Sequence, residues 1–571
     1  AELGKPEAKR RDPGRGSAAA ALEAVATAAP PEAAVAKATP GNAASRGRGT
    51  ASRILALAES VANEGSQEKN TFLAVFAVLS LLLAGLGVKA CKDSADYAPT
   101  SASGKFGSLA RLKTTVFVAA LCHFCMSYHA GIIAGAWLYI NRDPNLPHMG
   151  GWTCGAVTSS LLLGATVGAL GSTTVDIVGR RLAVLSVASL YAGGAAIMGF
   201  APSIGVLLIG RVVAGLGVGM SSVVVNVYIS EIAPADCRGQ LSGWAPALGT
   251  FGILLAQVVS LALGSAFPVG AWRWQLSIVA VPSLAIVLCQ GLLVESPRWL
   301  LLKGRNEQAA AVMAILFPNA PQDVLSAEIQ TIEADINATK AAHQLSPVEV
   351  CRRHSWPVAL GVGINVLQQV TGINVVIYFG PTVLKELGLD DSGALFAAIA
   401  FSGVQLFTVV LSATLVDRIG RRPVALVGMM AIICGHVLLV VAFAAQSTGH
   451  GRWQAMTAVI GMLVFRAAFS FSLGPLPYIM TAEMFPMDAR AAGAALSWAA
   501  NWATNFLVCQ SFPVVEERLE FVLGKDIGTS LIFAFYLSFC VAAFAVVLRV
   551  LPETSHRQLE RALEDRSRPA A

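Results

Sequence analysis

From residue 114 onward the chain alternates apolar runs of about 20 residues with short polar turns, and a run of that length crosses the hydrocarbon core as a helix. Six runs, at about 114–140, 152–173, 182–200, 204–232, 239–264 and 272–294, precede a polar stretch. Six more, at about 355–380, 392–416, 423–445, 455–482, 490–511 and 528–551, follow it. The polar stretch, 295–354, has helical periodicity at Asn306–Ile315 and Ala327–Ala342 and reads as a soluble helical linker. Upstream, 1–110 is rich in alanine and has no aromatic residue before Phe72, so it lacks the apolar surface needed to order itself. One apolar segment in it, 72–88, has the length of an extra span, an anchor or a targeting segment. The predicted organisation is an all-α membrane protein. A flexible extension (1–110) leads into a six-helix half (111–294), the linker (295–354), a second six-helix half (355–553) and a short tail (554–571).

Composition agrees with the pattern. Of 571 residues, 55% are hydrophobic and 13% charged, with a mean hydropathy of +0.62. A soluble domain carries roughly 45–50% apolar and about 25% charged residues, so a soluble enzyme is excluded. The net charge of +6 matters through its placement and does not argue for a nucleic-acid partner. Arg180, Arg181, Arg238, Arg298, Lys303, Arg305, Arg352, Arg353, Arg418, Arg421, Arg422 and Arg490 all fall on loops sharing the linker's side, which makes that side cytosolic, or stromal in an organelle. Most of the ten cysteines lie in apolar runs, where a thiol is a small hydrophobe. Cys122 and Cys125 therefore form neither a metal nor a redox site, and Gly215, Gly217 and Gly219 read as a helix-packing stripe rather than a dinucleotide loop. No cofactor, metal or catalytic constellation is expected.

The chain repeats itself. Asp176-Ile-Val-Gly179-Arg180-Arg181 follows the second span, and Asp417-Arg-Ile-Gly420-Arg421-Arg422 follows the eighth. A parallel duplication of six-helix units places a substrate site at the interface of the halves near mid-membrane. Opposite charges at these junctions, Asp176, Arg180 and Arg181 with Glu231 and Arg238, mirrored by Asp417, Arg421 and Arg422 with Glu483 and Arg490, are expected to hold the cytosolic ends together. Glu295 and Arg298 of the linker are expected to latch onto them. Gln368, Gln369 and Asn374 flank Gly372 in the seventh span. Neutral amides both donate and accept, as a ring of sugar hydroxyls requires, and the glycine lets the helix loosen.

Glu295-Ser-Pro-Arg298-Trp, Gln368-Gln369-Val-Thr-Gly-Ile-Asn374, Gly474-Pro475-Leu-Pro477-Tyr478, Glu483 with Arg490, and Pro552-Glu553-Thr554 occur in that order on the predicted spans. Together they resemble the sugar porter family of the major facilitator superfamily, with a first-helix Tyr128-His129 pair similar to plastidic glucose transporters. The resemblance implies the major facilitator fold and a monosaccharide carrier working by alternating access, most simply a hexose facilitator that functions as a monomer. It further implies sugar-facing positions for Asn365, Gln405, Asn501, Trp502 and Asn505, while Tyr478 keeps an aromatic wall where hexose facilitators usually have tryptophan. The plasma membrane is the expected location, with a plastid or other organellar envelope as the alternative.

Three ionisable residues inside spans, His129, Arg211 and Arg466, are functional candidates by position. Proton-coupled relatives typically carry an aspartate at the His129 position, working against the arginine matched by Arg211, while many facilitators carry a neutral residue. A histidine fits neither rule, so His129, Arg211 and Arg466 are candidates for proton coupling or gating, and a neutral His129 with uncoupled transport is the expectation. The family's fifth-span glutamine aligns with Pro246. Arg466, which has no family counterpart, is expected to pair with an acid or to meet an anionic substrate. Proton symport, a polyol or anionic-sugar substrate, and a non-transporting sensor are the alternatives; the 18 residues after Glu553 leave little room for a sensor's signalling tail.

Overall fold

A computed structural model of the protein describes residues 106–550, apart from 107, 148, 173–174, 268, 342–345, 446–451 and 486–488. The extension with its 72–88 segment, the Pro552-Glu553-Thr554 motif and the tail lie outside the described residues. All regular structure among the described residues is helical. The first half consists of α1 (Ala110–Ile140), α2 (Gly151–Gly171), α3 (Arg180–Gly199), α4 (Ile204–Ile232), α5 (Trp244–Ala266), α6 (Ala271–Ser277) and α7 (Ala280–Leu288), the last two forming one interrupted span. The linker folds as α8 (Pro297–Leu302), α9 (Asn306–Leu316), α10 (Gln322–Ala341) and α11 (Pro347–Arg353). The second half comprises α12 (Ser355–Val370), α13 (Ile373–Tyr378), α14 (Gly380–Glu386), α15 (Asp391–Ile419), α16 (Arg421–Ala444), α17 (Arg452–Phe471), α18 (Leu476–Met484), α19 (Arg490–Leu523) and α20 (Lys525–Val550).

Among the described residues, ten helices are long and apolar enough to cross a membrane by length and composition. The two other predicted runs differ for physical reasons. The eleventh, α19, extends past the predicted boundary to 523, and its outer end carries Glu516, Glu517, Arg518 and Glu520. The seventh is broken: α12 stops after 16 residues, and Gly372 caps α13 with φ 78° and ψ 14°. That left-handed conformation suits glycine, and an added methyl there would sit 3.1 Å from the Tyr536 ring. Gly372→Val should therefore cost about 1–3 kcal/mol of backbone strain and abolish most transport, with Gly372→Asn milder because asparagine tolerates this region. Thermal unfolding of purified protein beside vesicle uptake checks this; a valine variant with normal stability and uptake would remove the break from the mechanism.

The duplication is visible in the backbone. Gly179 (φ 95°, ψ 159°) caps α3, and Gly420 (φ 99°, ψ 156°) caps α16, so each half makes the same turn at its Asp-x-x-Gly-Arg-Arg motif. The small-residue stripe packs α4 on α2: a methyl on Gly215 would meet the Leu161 carbonyl oxygen at 2.1 Å, and one on Gly219 the Ala165 carbonyl oxygen at 1.9 Å. Only side-chain-free positions allow backbones this close.

The halves join along two helix pairs. Leu254 of α5 packs against Ile399 and Leu406 of α15. At the end away from the linker, α2 meets α19: the Gly151 N–H donates to Glu517 Oε2 at 2.9 Å and Ser159 Oγ donates to Gln510 Oε1 at 2.7 Å. Nearby, Arg142 donates from both terminal nitrogens to Asp391, which also pairs with Lys385 at 2.5 Å. The neighbouring Asp143 accepts from Trp272 Nε1 at 2.8 Å and from the Asn145 backbone and side-chain N–H groups at 2.9 and 3.0 Å. Burial works to raise the Asp143 carboxyl, but these N–H groups outweigh it and hold it below the usual carboxylate range.

Candidate sugar site and its supporting charges

Three of the predicted amides of α12 converge on a fourth, Asn501, and the break at Gly372 brings a fifth, Asn374, onto Gln369. Gln369 Nε2 donates to Asn501 Oδ1 at 2.8 Å, while Asn501 Nδ2 donates to Gln368 Oε1 at 2.8 Å and to Asn365 Oδ1 at 3.2 Å. Across the break, Asn374 Nδ2 donates to Gln369 Oε1. Gln368 Nε2 donates to the Leu473 and Gly474 carbonyls at 2.7 and 3.2 Å, and Asn365 Nδ2 to Thr481 Oγ1 at 3.2 Å. The cluster thus ties α12 and α13 to α19 and to the turn between α17 and α18. All five amide side chains are buried. It carries no net charge, and its members satisfy one another, so hydroxyl groups can replace amide partners without stranding a buried charge.

The other predicted contacts spread around this cluster. Trp502 is buried beside the hub in sequence, and its indole N–H has no acceptor among the described residues, a donor that a ligand oxygen would satisfy. Asn505 instead accepts from Cys509 Sγ at 3.2 Å. Tyr478 keeps 39% of its surface exposed and lies against Trp498, ring centroids 4.1 Å apart. Gln405 is held by Arg466, whose Nη2 donates to its Oε1. The acid expected opposite Arg466 is therefore replaced by a neutral amide.

In the first half, Arg211 is committed to the backbone: its Nε donates to the Val157 carbonyl at 2.8 Å, Nη2 to the Thr158 carbonyl at 2.9 Å and Nη1 to the His129 backbone carbonyl at 3.2 Å. Buried arginines need acceptors, and three carbonyls serve without a proton-binding partner. The His129 ring lies against Tyr191, centroids 5.3 Å apart, and neither ring nitrogen has a partner among the described residues. Pro246, where the fifth-span reader was aligned, is exposed. The buried positions of α5 hold Thr250 and Gln257 instead. Gln257 Nε2 donates to the Gly131 carbonyl at 3.1 Å, leaving its Oε1 without a partner among the described residues. A lone amide in the middle of an otherwise apolar span was the available signal for it.

The charged junction condenses on Arg180. This guanidinium is 4% exposed; Nε and Nη2 grip Glu231 at 2.8 and 2.9 Å, and Nη2 reaches Asp176 at 2.8 Å. Glu295 accepts the Arg180 and Arg181 backbone N–H groups at 2.7 and 3.2 Å and its neighbour Ser296's at 2.9 Å. It caps the N-terminus of α3, where a carboxylate is favoured. Trp299 completes the linker contact, its Nε1 donating to the Asp176 carbonyl at 3.0 Å. These described ion pairs stay within one half and its linker rather than bridging the halves. Arg238 donates to the Ala233 carbonyl at 3.3 Å and Arg298 has no ion pair among the described residues, because the α3 terminus already saturates Glu295. In the second half Arg421 is buried and Arg422 donates to the Leu548 carbonyl at 2.8 Å. The side chains of Asp417, Glu483 and Arg490 lie outside the described residues.

Comparison with known proteins supports the same architecture. The family model described as "Sugar (and other) transporter" matches residues 115–565. A D-xylose transporter of Levilactobacillus brevis is 32% identical over 450 residues, covering 78% of this chain and 93% of its own. The glucose transporter GlcP of Staphylococcus epidermidis is 30% identical over 454 residues, covering 78% of this chain and 96% of its own. The structure of the proton:xylose symporter XylE bound to 6-bromo-6-deoxy-D-glucose superposes with a TM-score of 0.66 at 25% identity, covering 79% of this chain and 98% of that one. Broken seventh span, duplicated charged turn and matching sequence converge: the chain belongs to the sugar transporter family of the major facilitator superfamily and is a multi-pass membrane transporter.

Proposed function

We propose that the protein carries a monosaccharide, glucose or a related hexose, down its gradient by alternating access, working as a monomer in the plasma membrane. The observation that carries this reading is the uncharged amide cluster at the break of the seventh span. Gln368, Gln369, Asn374, Asn365 and Asn501 read the hydroxyls, Trp502 and Tyr478 supply apolar walls, and Gln405 and Asn505 complete the lining. Amides that already share hydrogen bonds exchange them for sugar hydroxyls at little net cost. The xylose and glucose transporters among the relatives support a pentose- or hexose-sized substrate.

Uncoupled transport is supported by the absence of any aspartate or glutamate from the middle of a span and by Arg211, which is committed to backbone carbonyls. The test is labelled glucose uptake in cells lacking their own hexose carriers, with and without a protonophore. Equilibration without accumulation, insensitive to the protonophore, is expected, and His129→Ala should leave the pH dependence of uptake flat. Accumulation abolished by the protonophore would overturn the facilitator reading, and no uptake of any hexose would overturn the sugar reading itself.

A further inference from the structure

Among the described residues, two arginines in the interior of spans, Arg211 and Arg466, are each 1% exposed, and they are treated differently. Arg211 spends Nε, Nη1 and Nη2 on three backbone carbonyls. Arg466 has one acceptor, Gln405 Oε1, and its Nε is buried without a partner among the described residues. A guanidinium offers five N–H donors in a planar fork that matches a carboxylate. A buried cation left with one neutral acceptor is expensive in a low-dielectric interior. No acid lies in the middle of any span to neutralise it, so the missing counter-charge must arrive from outside the fold.

The position fits a ligand. Gln405 belongs to α15, which packs against α5 where the two halves meet. Seven residues beyond Arg466, the Leu473 carbonyl receives Gln368 of the amide cluster, two helical turns or about 10 Å along the axis. Arg466 and the cluster therefore lie about two turns apart along α17 and the turn after it.

We propose that Arg466 is a specificity residue that binds a carboxylate on the substrate, so that the carrier accepts monosaccharides bearing one negative group, of the hexuronate class. The inference rests on reading the amide cluster as the sugar site. One free guanidinium neutralises one charge, which matches a carboxylate and not a phosphate ester carrying about −1.5 to −2 at neutral pH. Carboxylate binding displaces or shares Gln405, whose amide N–H groups then donate to the same anion.

The experiment uses the full chain in proteoliposomes, with labelled D-glucose counterflow competed by unlabelled D-glucose, D-glucuronate or glucose 6-phosphate. Wild-type protein is expected to be inhibited by glucuronate at concentrations no higher than those of glucose, and to resist glucose 6-phosphate. Arg466→Gln should lower the preference for glucuronate over glucose by about 10- to 100-fold, the range for losing charge-assisted hydrogen bonds, and Arg466→Lys should restore part of it. A structural role would weaken both competitors together and leave the ratio unchanged, which would overturn the proposal. Glucose counterflow without glucuronate competition overturns it while sparing the sugar site. Counterflow with no sugar at all overturns both. Where Arg466→Gln does not assemble, the Arg466→Lys ratio and direct glucuronate uptake by wild-type protein decide.

Discussion

Asn501→Leu should raise the half-saturation concentration for sugar uptake by about 10- to 100-fold while the protein still reaches the membrane. Leucine has the branching and the side-chain heavy-atom count of asparagine, although it is bulkier, and none of its polar atoms. It strands Asn365 Oδ1 and leaves Gln369 Nε2 and Gln368 Oε1 with only the 3.3 Å hydrogen bond between them. Each stranded buried group costs about 1–3 kcal/mol, and the strained cluster can no longer hold the orientation that hydroxyls meet. Asn505→Leu removes an amide whose hydrogen bond among the described residues is with Cys509 Sγ, so its effect should be several-fold smaller. Zero-trans uptake across a concentration series measures both. An Asn501→Leu carrier with unchanged half-saturation would mean that the cluster is structural scaffolding and that sugar binds elsewhere.

The second large effect concerns Arg180. Arg180→Met leaves Glu231, only 10% exposed, without its bidentate partner, and breaking a buried pair from one side typically costs 3–5 kcal/mol. With Asp176 on the other arm 71% exposed, about 2–4 kcal/mol is the expected loss. The unfolding temperature should fall by several degrees and transport should drop with it. The paired change Arg180→Met with Glu231→Met removes both charges and should recover much of that stability, since a packed apolar pair often replaces an ion pair at little cost. Transport need not recover in parallel, because the pair also fixes the turn at Gly179 that Glu295 caps. If the double variant is no more stable than Arg180→Met, the Coulombic account of this junction fails.

Much of this architecture was legible in the sequence because a bilayer imposes simple rules. Apolar length gave the spans α1 to α4 to within a few residues, and the repeated Asp-x-x-Gly-Arg-Arg motif anticipated two turns with the same backbone angles. The Gln-Gln-x-x-Gly-x-Asn pattern announced both a helix break and the amides around it. What stayed hidden were choices among partners. Arg211 and Arg466 look alike in a linear chain, yet one finds three carbonyls and the other a single amide, which depends on how α1, α2 and α15 pack around them. Counting charges at the linker face could not tell that Glu295 would be consumed by the N-terminus of α3, leaving Arg298 without an ion pair among the described residues. The aligned Pro246 misled because it lies in the first turn of α5, where this helix face is exposed; Thr250 and Gln257, further along the helix on nearly the same face, are buried.

The seam far from the linker, where Arg142 and Lys385 clasp Asp391 and Glu517 holds the Gly151 N–H, has a kinetic consequence. A carrier that rests with one mouth sealed presents its site to only one compartment, and a ligand approaching from the sealed side must wait for the minority form. Its apparent dissociation constant is multiplied by the inverse of that minority fraction. Half-saturation should therefore be higher for entry than for exit, and maximal velocity higher in the same proportion, since a passive carrier cannot favour one direction at equal concentrations. Asp391→Asn, which loosens the clasp, should bring the two directions toward symmetry.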